Sequence, residues 1–122
     1  MKIIDLHSHW GTKRGYPLQT EAELKQQRAT WHSDPTYMSE DEMAHYFRAN
    51  GVRAILDLGF AKFRSLDEMQ SLHDYSFATE RAHRDVMLGH WFHIDPRMGE
   101  SGVKELRRCI DSRLGFVGYA VS

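Results

Sequence analysis

The 122-residue chain has a single cysteine, no excess of charge of either sign and no long apolar run. Cys109 has no partner for an intrachain disulfide, so a disulfide-stapled secreted scaffold is excluded and a reducing cytoplasm is the simplest compartment. Sixteen Lys and Arg stand against seventeen Asp and Glu, a formal net charge of -1. No basic field therefore argues for nucleic acid or an anionic membrane as partner. No apolar stretch approaches the roughly 20 residues that span a bilayer. Asp5 and His7 also fall where a signal peptide would keep its apolar segment. Low-complexity segments are absent too. What remains is ordinary globular usage, 41% hydrophobic and 27% charged, with an unusual eight histidines and three tryptophans.

Apolar runs and amphipathic stretches alternate along the chain. Short buried-type strands are expected near 2–7, 52–58, 86–94 and 116–121. From Trp10 to Tyr37 the sequence is polar and irregular, punctuated by Gly11, Gly15, Pro17 and Pro35, with a short helix expected within Glu21 to Arg28. So long a connection inside a compact domain usually serves function or mobility. Ser39 and Glu42 form the S-x-x-E box that opens a helix, with Met43, Tyr46 and Phe47 recurring on one face until Asn50-Gly51 stops it. A second helix is expected from Leu66 to His83, with Met69, Leu72, Phe77 and Ala78 inward. A third, about Gly102 to Arg113, would turn Val103, Leu106, Cys109 and Ile110 inward. Gly59 ends the second strand, Asp95-Pro96 breaks the third and Gly115 opens the fourth. The order β-α-β-α-β-α-β predicts one α/β domain over 1–122 with parallel strands and right-handed crossovers.

Chemistry concentrates in Asp5-Leu6-His7-Ser8-His9. Side chains at i and i+2 of a strand share a face, so His7 and His9 are expected to project together from the end of the first strand. Two converging imidazoles suit one divalent ion, and strand ends are where parallel-sheet proteins place their sites. Asp5 shares their parity and is expected to orient one histidine by accepting its other ring N–H. His90 and His93 have opposite parity on the third strand, and His93 lies nearer the mouth. Cys109 is expected as a buried, unreactive thiol.

These residues carry a resemblance. Ile4-Asp5-Leu6-His7-Ser8-His9 resembles the first-strand signature of the amidohydrolase superfamily. Val103-Lys104-Glu105-Leu106-Arg107-Arg108-Cys109-Ile110 followed by Leu114-Gly115-Phe116-Val117-Gly118 looks like the third helix and fourth strand of one branch, that of aminocarboxymuconate-semialdehyde decarboxylase and related decarboxylases and hydrolases. His73-Asp74-Tyr75 sits where that branch commonly carries Asn-Asp-Tyr, and Asp95-Pro96 ends the third strand in its manner. The resemblance implies a TIM-type (β/α)8 barrel, of which this chain would be the N-terminal half. It further implies one divalent ion at the mouth, bound by His7 and His9, with the remaining ligands and catalytic groups beyond Ser122. Zinc is the first expectation for two imidazoles and manganese the second.

A small carboxylated or amide/ester-like substrate follows, decarboxylated or hydrolysed, with Trp10, Arg28 and His93 as candidate substrate contacts. Arg14 and Arg28 lie in the loop where the branch places an arginine for the substrate carboxylate, a group its fork suits. Dimers are common in the branch, so a homodimer is the expected assembly. A whole barrel takes about 250 residues, so this portion is expected to be inactive alone. Two rivals stand beside it: a PHP or TatD-type metal phosphoesterase, since those families also open with H-x-H, and a non-catalytic half-barrel that binds a partner chain.

Overall fold

The structure, a computed structural model, describes residues 2–15, 20–57 and 65–112, with the backbone of 116–121. Pro17, Leu58, Gly59, Arg113 and Gly115, which figure in the expected loop, strand and helix ends, lie outside the described residues. Strands β1 (Ile3–Ser8), β2 (Val52–Asp57), β3 (Met87–Ile94) and β4 (Phe116–Val121) form one sheet in the order β1-β2-β3-β4, all neighbours parallel. Helices α1 (Glu21–Trp31), α2 (Glu40–Ala49), α3 (Leu66–Ala82) and α4 (Gly99–Asp111) intervene, with a single 3-10 turn over Pro96–Met98 before α4. The α/β class with parallel strands is as the alternation predicts.

Local chemistry explains the boundaries. Ser39 accepts from the Glu42 backbone while Glu42 reaches back to the Ser39 N–H, so the expected box opens α2. Thr20 and Glu23 build the same box at α1, which runs three residues beyond the expected Arg28 and closes on His32 in the left-handed conformation. Gly51, with φ of 65°, makes the turn from α2 into β2, where a side chain would be strained.

The core lies between the sheet and the helices. Trp10, Met43, Ala44, Phe47, Ala54, Leu56, Val86 and Met87 form one cluster under α2, and Phe77, Phe92 and Cys109 a second under α3 and α4. Each fully buried side chain of this size contributes about 1.5–3 kcal/mol.

Three helices differ from the sequence pattern in what they turn inward. On α2, Ala44 is buried and Tyr46 is exposed. On α3, Ala78 faces out, while His73, Ser76, Thr79 and Glu80 are buried with the expected Met69, Leu72 and Phe77. On α4 the helix is rotated: Gly102, Glu105 and Cys109 face in, leaving Val103 and Ile110 exposed. The reason is a polar network described below, which draws Glu105 inward. Gly102 permits the close approach, since a Cβ there would sit 3.4 Å from the Asp95 carbonyl oxygen and from the Met98 Cβ.

Candidate metal centre

The C-terminal ends of β1, β2 and β3 bring four polar side chains together. Burial alternates along β3, so Phe92 and Ile94 pack towards the helices while Trp91 and His93 take the opposite face. Asp57 closes β2, with a side chain only 6% exposed. Asp5 pairs with Ala54 and Ser8 with Leu56, so β1 accommodates an extra residue where His7 sits. His9 follows just after the strand.

Asp57 is the hub. His7 Nε2 donates to Asp57 Oδ2 at 3.1 Å, and His93 Nε2 donates to Asp57 Oδ1 at 2.6 Å. His9 Nδ1 donates to the backbone oxygen of the same residue at 2.9 Å. A carbonyl can only accept, so Nδ1 of His9 carries the proton and Nε2 is the basic nitrogen of the neutral ring. The His7 and His9 rings lie 5.1 Å apart, with Trp91 beside His7 at 6.3 Å. Trp91 Nε1 in turn donates to the Leu6 carbonyl at 3.2 Å, tying β1 to β3 across β2.

One ligand atom from each of His7, His9 and Asp57 lies within 4.8 Å of the others. Two imidazoles and a carboxylate are a borderline-soft donor set that suits Zn2+ and other first-row divalent ions. The donor chemistry therefore fits a metal, and with Nδ1–H committed to the Asp57 carbonyl, Nε2 is the His9 nitrogen that would face one.

The segment after His9 is firmly held. Met38 N donates to the Gly11 oxygen at 2.9 Å. The Tyr75 hydroxyl donates to Glu40 Oε1 at 2.7 Å and lies 3.0 Å from Thr12 Oγ1. Burial, chiefly, pushes the Tyr75 phenol up to about 12, so it stays a neutral donor.

His7, His9 and His93 are thus brought together, and the expected pairing of His7 with His9 is seen, although around a strand irregularity rather than by plain alternation. Asp5 has a different part from the one expected: its Oδ1 accepts from the His7 backbone N–H at 3.0 Å, and the carboxylate on the rings is Asp57. Trp10, expected as a substrate contact, is not placed to be one. It is fully buried against Phe47 and His83, with ring centroids 5.9 and 5.7 Å away, because the turn after His9 carries it under the sheet. Arg28 does not reach the site either; it is an exposed residue of α1 paired with Asp34. Arg14 bonds Ser71 on α3. His90 faces the helices, where its Nδ1 lies 2.6 Å from Glu80. Asp57 is the residue that strand parity alone passed over. Its signal was an acid, disfavoured within strands, ending the apolar run Val52-Arg53-Ala54-Ile55-Leu56.

No family model, curated protein or solved structure matches this chain. Among the described residues, no helix is long and apolar enough to cross a membrane.

Proposed function

We propose that this chain is the metal-binding N-terminal portion of an amidohydrolase-type barrel enzyme, a decarboxylase or hydrolase of a small carboxylated or amide/ester-like substrate. The observation that carries the reading is the convergence of His7, His9 and Asp57 at the C-terminal ends of adjacent parallel strands. That edge is where βα barrels assemble their sites, and it holds the His7 and His9 pair on which the H-x-H resemblance rests. His7, His9 and Asp57 would hold one divalent ion, Zn2+ before Mn2+. A divalent ion so held lowers the pKa of bound water towards about 7 and polarises a carbonyl or carboxylate.

The protein groups have separable parts in this reading. His9 presents Nε2 because its Nδ1–H is committed to the Asp57 carbonyl. His93 holds one Asp57 oxygen and so turns the other towards His7. Trp91 lies beside the His7 ring and, through its bond to the Leu6 carbonyl, steadies the strand end that carries it. The His7 N–H that now rests on Asp57 must give way, by a change of tautomer, for both atoms to bind one cation.

X-ray absorption at the zinc edge of the loaded chain tests the proposal. A shell of nitrogen and oxygen with the multiple scattering of two imidazoles is expected. A sulfur scatterer, or one imidazole or none, would refute this site. A functional test follows for any longer form of the protein: its turnover of carboxylated or amide substrates should require the metal, whereas turnover of phosphoesters alone would favour the phosphoesterase reading.

A further inference from the structure

Behind β3, on the helix side of the sheet, lies a polar cluster that the metal reading does not use. Glu105 on α4 is fully buried. Gln70 and His73 of α3 and Arg108 and Cys109 of α4 all turn to its carboxylate. Arg108 grips both oxygens, at 2.8 and 2.7 Å, and also reaches Asp74. His73 Nδ1 lies 2.7 Å from Glu105 Oε1, and its Nε2 donates to the backbone oxygen of His93 at 3.0 Å. The network thereby touches the sheet at the residue whose ring holds Asp57.

Burying this many polar groups costs stability that a leucine at the same place would not, so their arrangement calls for a reason beyond packing. A second metal site is one candidate, since His73, Glu105 and Cys109 offer three closely spaced donors. The chemistry argues against it. Both Glu105 oxygens already hold a guanidinium, which would repel an incoming cation. Burial, foremost, pushes the Cys109 thiol up and away from the thiolate a metal requires.

We infer that His73 is a positioning residue for the metal centre, bridging Glu105 of α4 to the His93 carbonyl and so fixing the end of β3 where His93 holds Asp57. The inference rests on the metal reading of His7, His9 and Asp57. Its physical content is specific to one ring nitrogen. The carbonyl and the ionised Glu105 both only accept, so a ring bonded to both carries a proton on each nitrogen, against a burial that disfavours its charge; Nε2–H is the working group and Nδ1–H anchors the ring in the helix layer. Loss of the Nε2 bond removes the helix-layer tether on the His93 carbonyl, leaving the strand end to its pairing with β4, and the 2.6 Å contact to Asp57 Oδ1 loosens with it.

Two substitutions in the full chain separate these edges. His73→Asn keeps a polar atom near the Nδ1 position but is too short for the His93 carbonyl; His73→Gln reaches that carbonyl with an amide N–H. The metal-free readout is the NMR signals of the His93 ring and the Ile94 amide. The metal readout is Co2+ affinity and the visible spectrum of the Co2+ form. His73→Asn should shift the His93 and Ile94 signals and weaken Co2+ binding about tenfold, within the range for groups that orient ligands, and His73→Gln should restore both. Should His73→Asn fail to fold, Glu105→Gln, which loosens the anchor while keeping the shape, should move the His93 ring signals in its place.

Unmoved His93 signals in a folded His73→Asn protein, or in Glu105→Gln, would overturn the inference. So would equal weakening by Asn and Gln, which marks a merely structural role. A thiolate-to-cobalt charge-transfer band would overturn it in favour of a metal at Cys109. A wild-type chain that takes up no Co2+ would instead overturn the metal reading, and the metal-free NMR comparison would still judge the His73–His93 link.

Discussion

Asp57 and Glu105 are both buried carboxylates, and they differ in what their surroundings do with charge. Around Asp57 the partners are imidazoles, which can exchange a proton for a metal ion. Around Glu105 the principal partner is a guanidinium, which cannot. Burial alone would raise the Glu105 carboxyl, but hydrogen bonds from Arg108, His73, Gln70 and Cys109 outweigh it and hold the group down to about 2. A carboxyl depressed in the folded state contributes stability that is present above its unfolded value, near 4.5, and lost as pH falls through the folded value. The unfolding free energy measured in urea should therefore drop between about pH 4.5 and 2, by up to roughly 3 kcal/mol from this group, and Glu105→Gln should flatten that part of the profile. An unchanged profile in the variant would show that the drop belongs to other carboxylates. Cys109 gives a second residue-scale prediction. Fully buried, with its thiol pushed up by burial and by Glu105, it should not react with a disulfide reagent in the native protein and should react fully in guanidinium. Rapid native labelling would contradict its placement.

Among the elements, the two capping boxes make a useful contrast. Both α1 and α2 open with the same reciprocal bonds, yet α2 buries Met43, Ala44 and Phe47 whereas α1 buries none of its residues. Ser39→Ala should lower global stability by about 1 kcal/mol, measured by urea denaturation. Thr20→Ala should leave the global midpoint unchanged and only speed amide exchange within α1, because a helix without buried contacts frays locally. A fall in the global midpoint for Thr20→Ala would show that α1 is docked. Element type was readable from the sequence because periodicity and caps act locally. The strands appear within two residues of the positions expected from their apolar runs, as does the start of α2. The facing of α4 was not readable. Its apolar residues Val103 and Ile110 suggested the inward stripe, but Glu105 wins the interior through partners 32 to 35 residues away on α3, which no local pattern reveals. The same holds at the site. His7 and His9 announced themselves by spacing, whereas Asp57 and His93 join them only when β2 and β3 pair beside β1. Trp10 was misplaced for a related reason: its adjacency to His9 in sequence says nothing of the turn that sends it under the sheet.

At the scale of the whole molecule, the sheet is covered on one face by α2, α3 and α4, and the described part of the other face carries the metal candidates. Parallel sheets are ordinarily covered on both faces. Ile4 and Leu6, alternate positions of β1, are 60% and 65% exposed, a large apolar exposure for one strand. The chain should therefore bind a hydrophobic fluorescent dye in its native state, and Ile4→Lys with Leu6→Lys should lower that signal several-fold without changing the far-ultraviolet circular dichroism. A signal that the lysines leave unchanged would place the dye elsewhere, Trp31 on α1 and Val103 on α4 being the other most exposed apolar residues described. These exposed positions do not bear on His7, His9 and Asp57, whose geometry is set within three adjoining strands. The most direct test of that geometry is a zinc titration of the apo chain by calorimetry at neutral pH, alongside His7→Ala, His9→Ala and Asp57→Asn. One ion per wild-type chain is expected, with binding abolished in the two histidine variants and weakened at least tenfold in Asp57→Asn, since each change removes one of the few donors the ion would have. Stoichiometric binding that survives in all three variants, or no binding by the wild type, would contradict it.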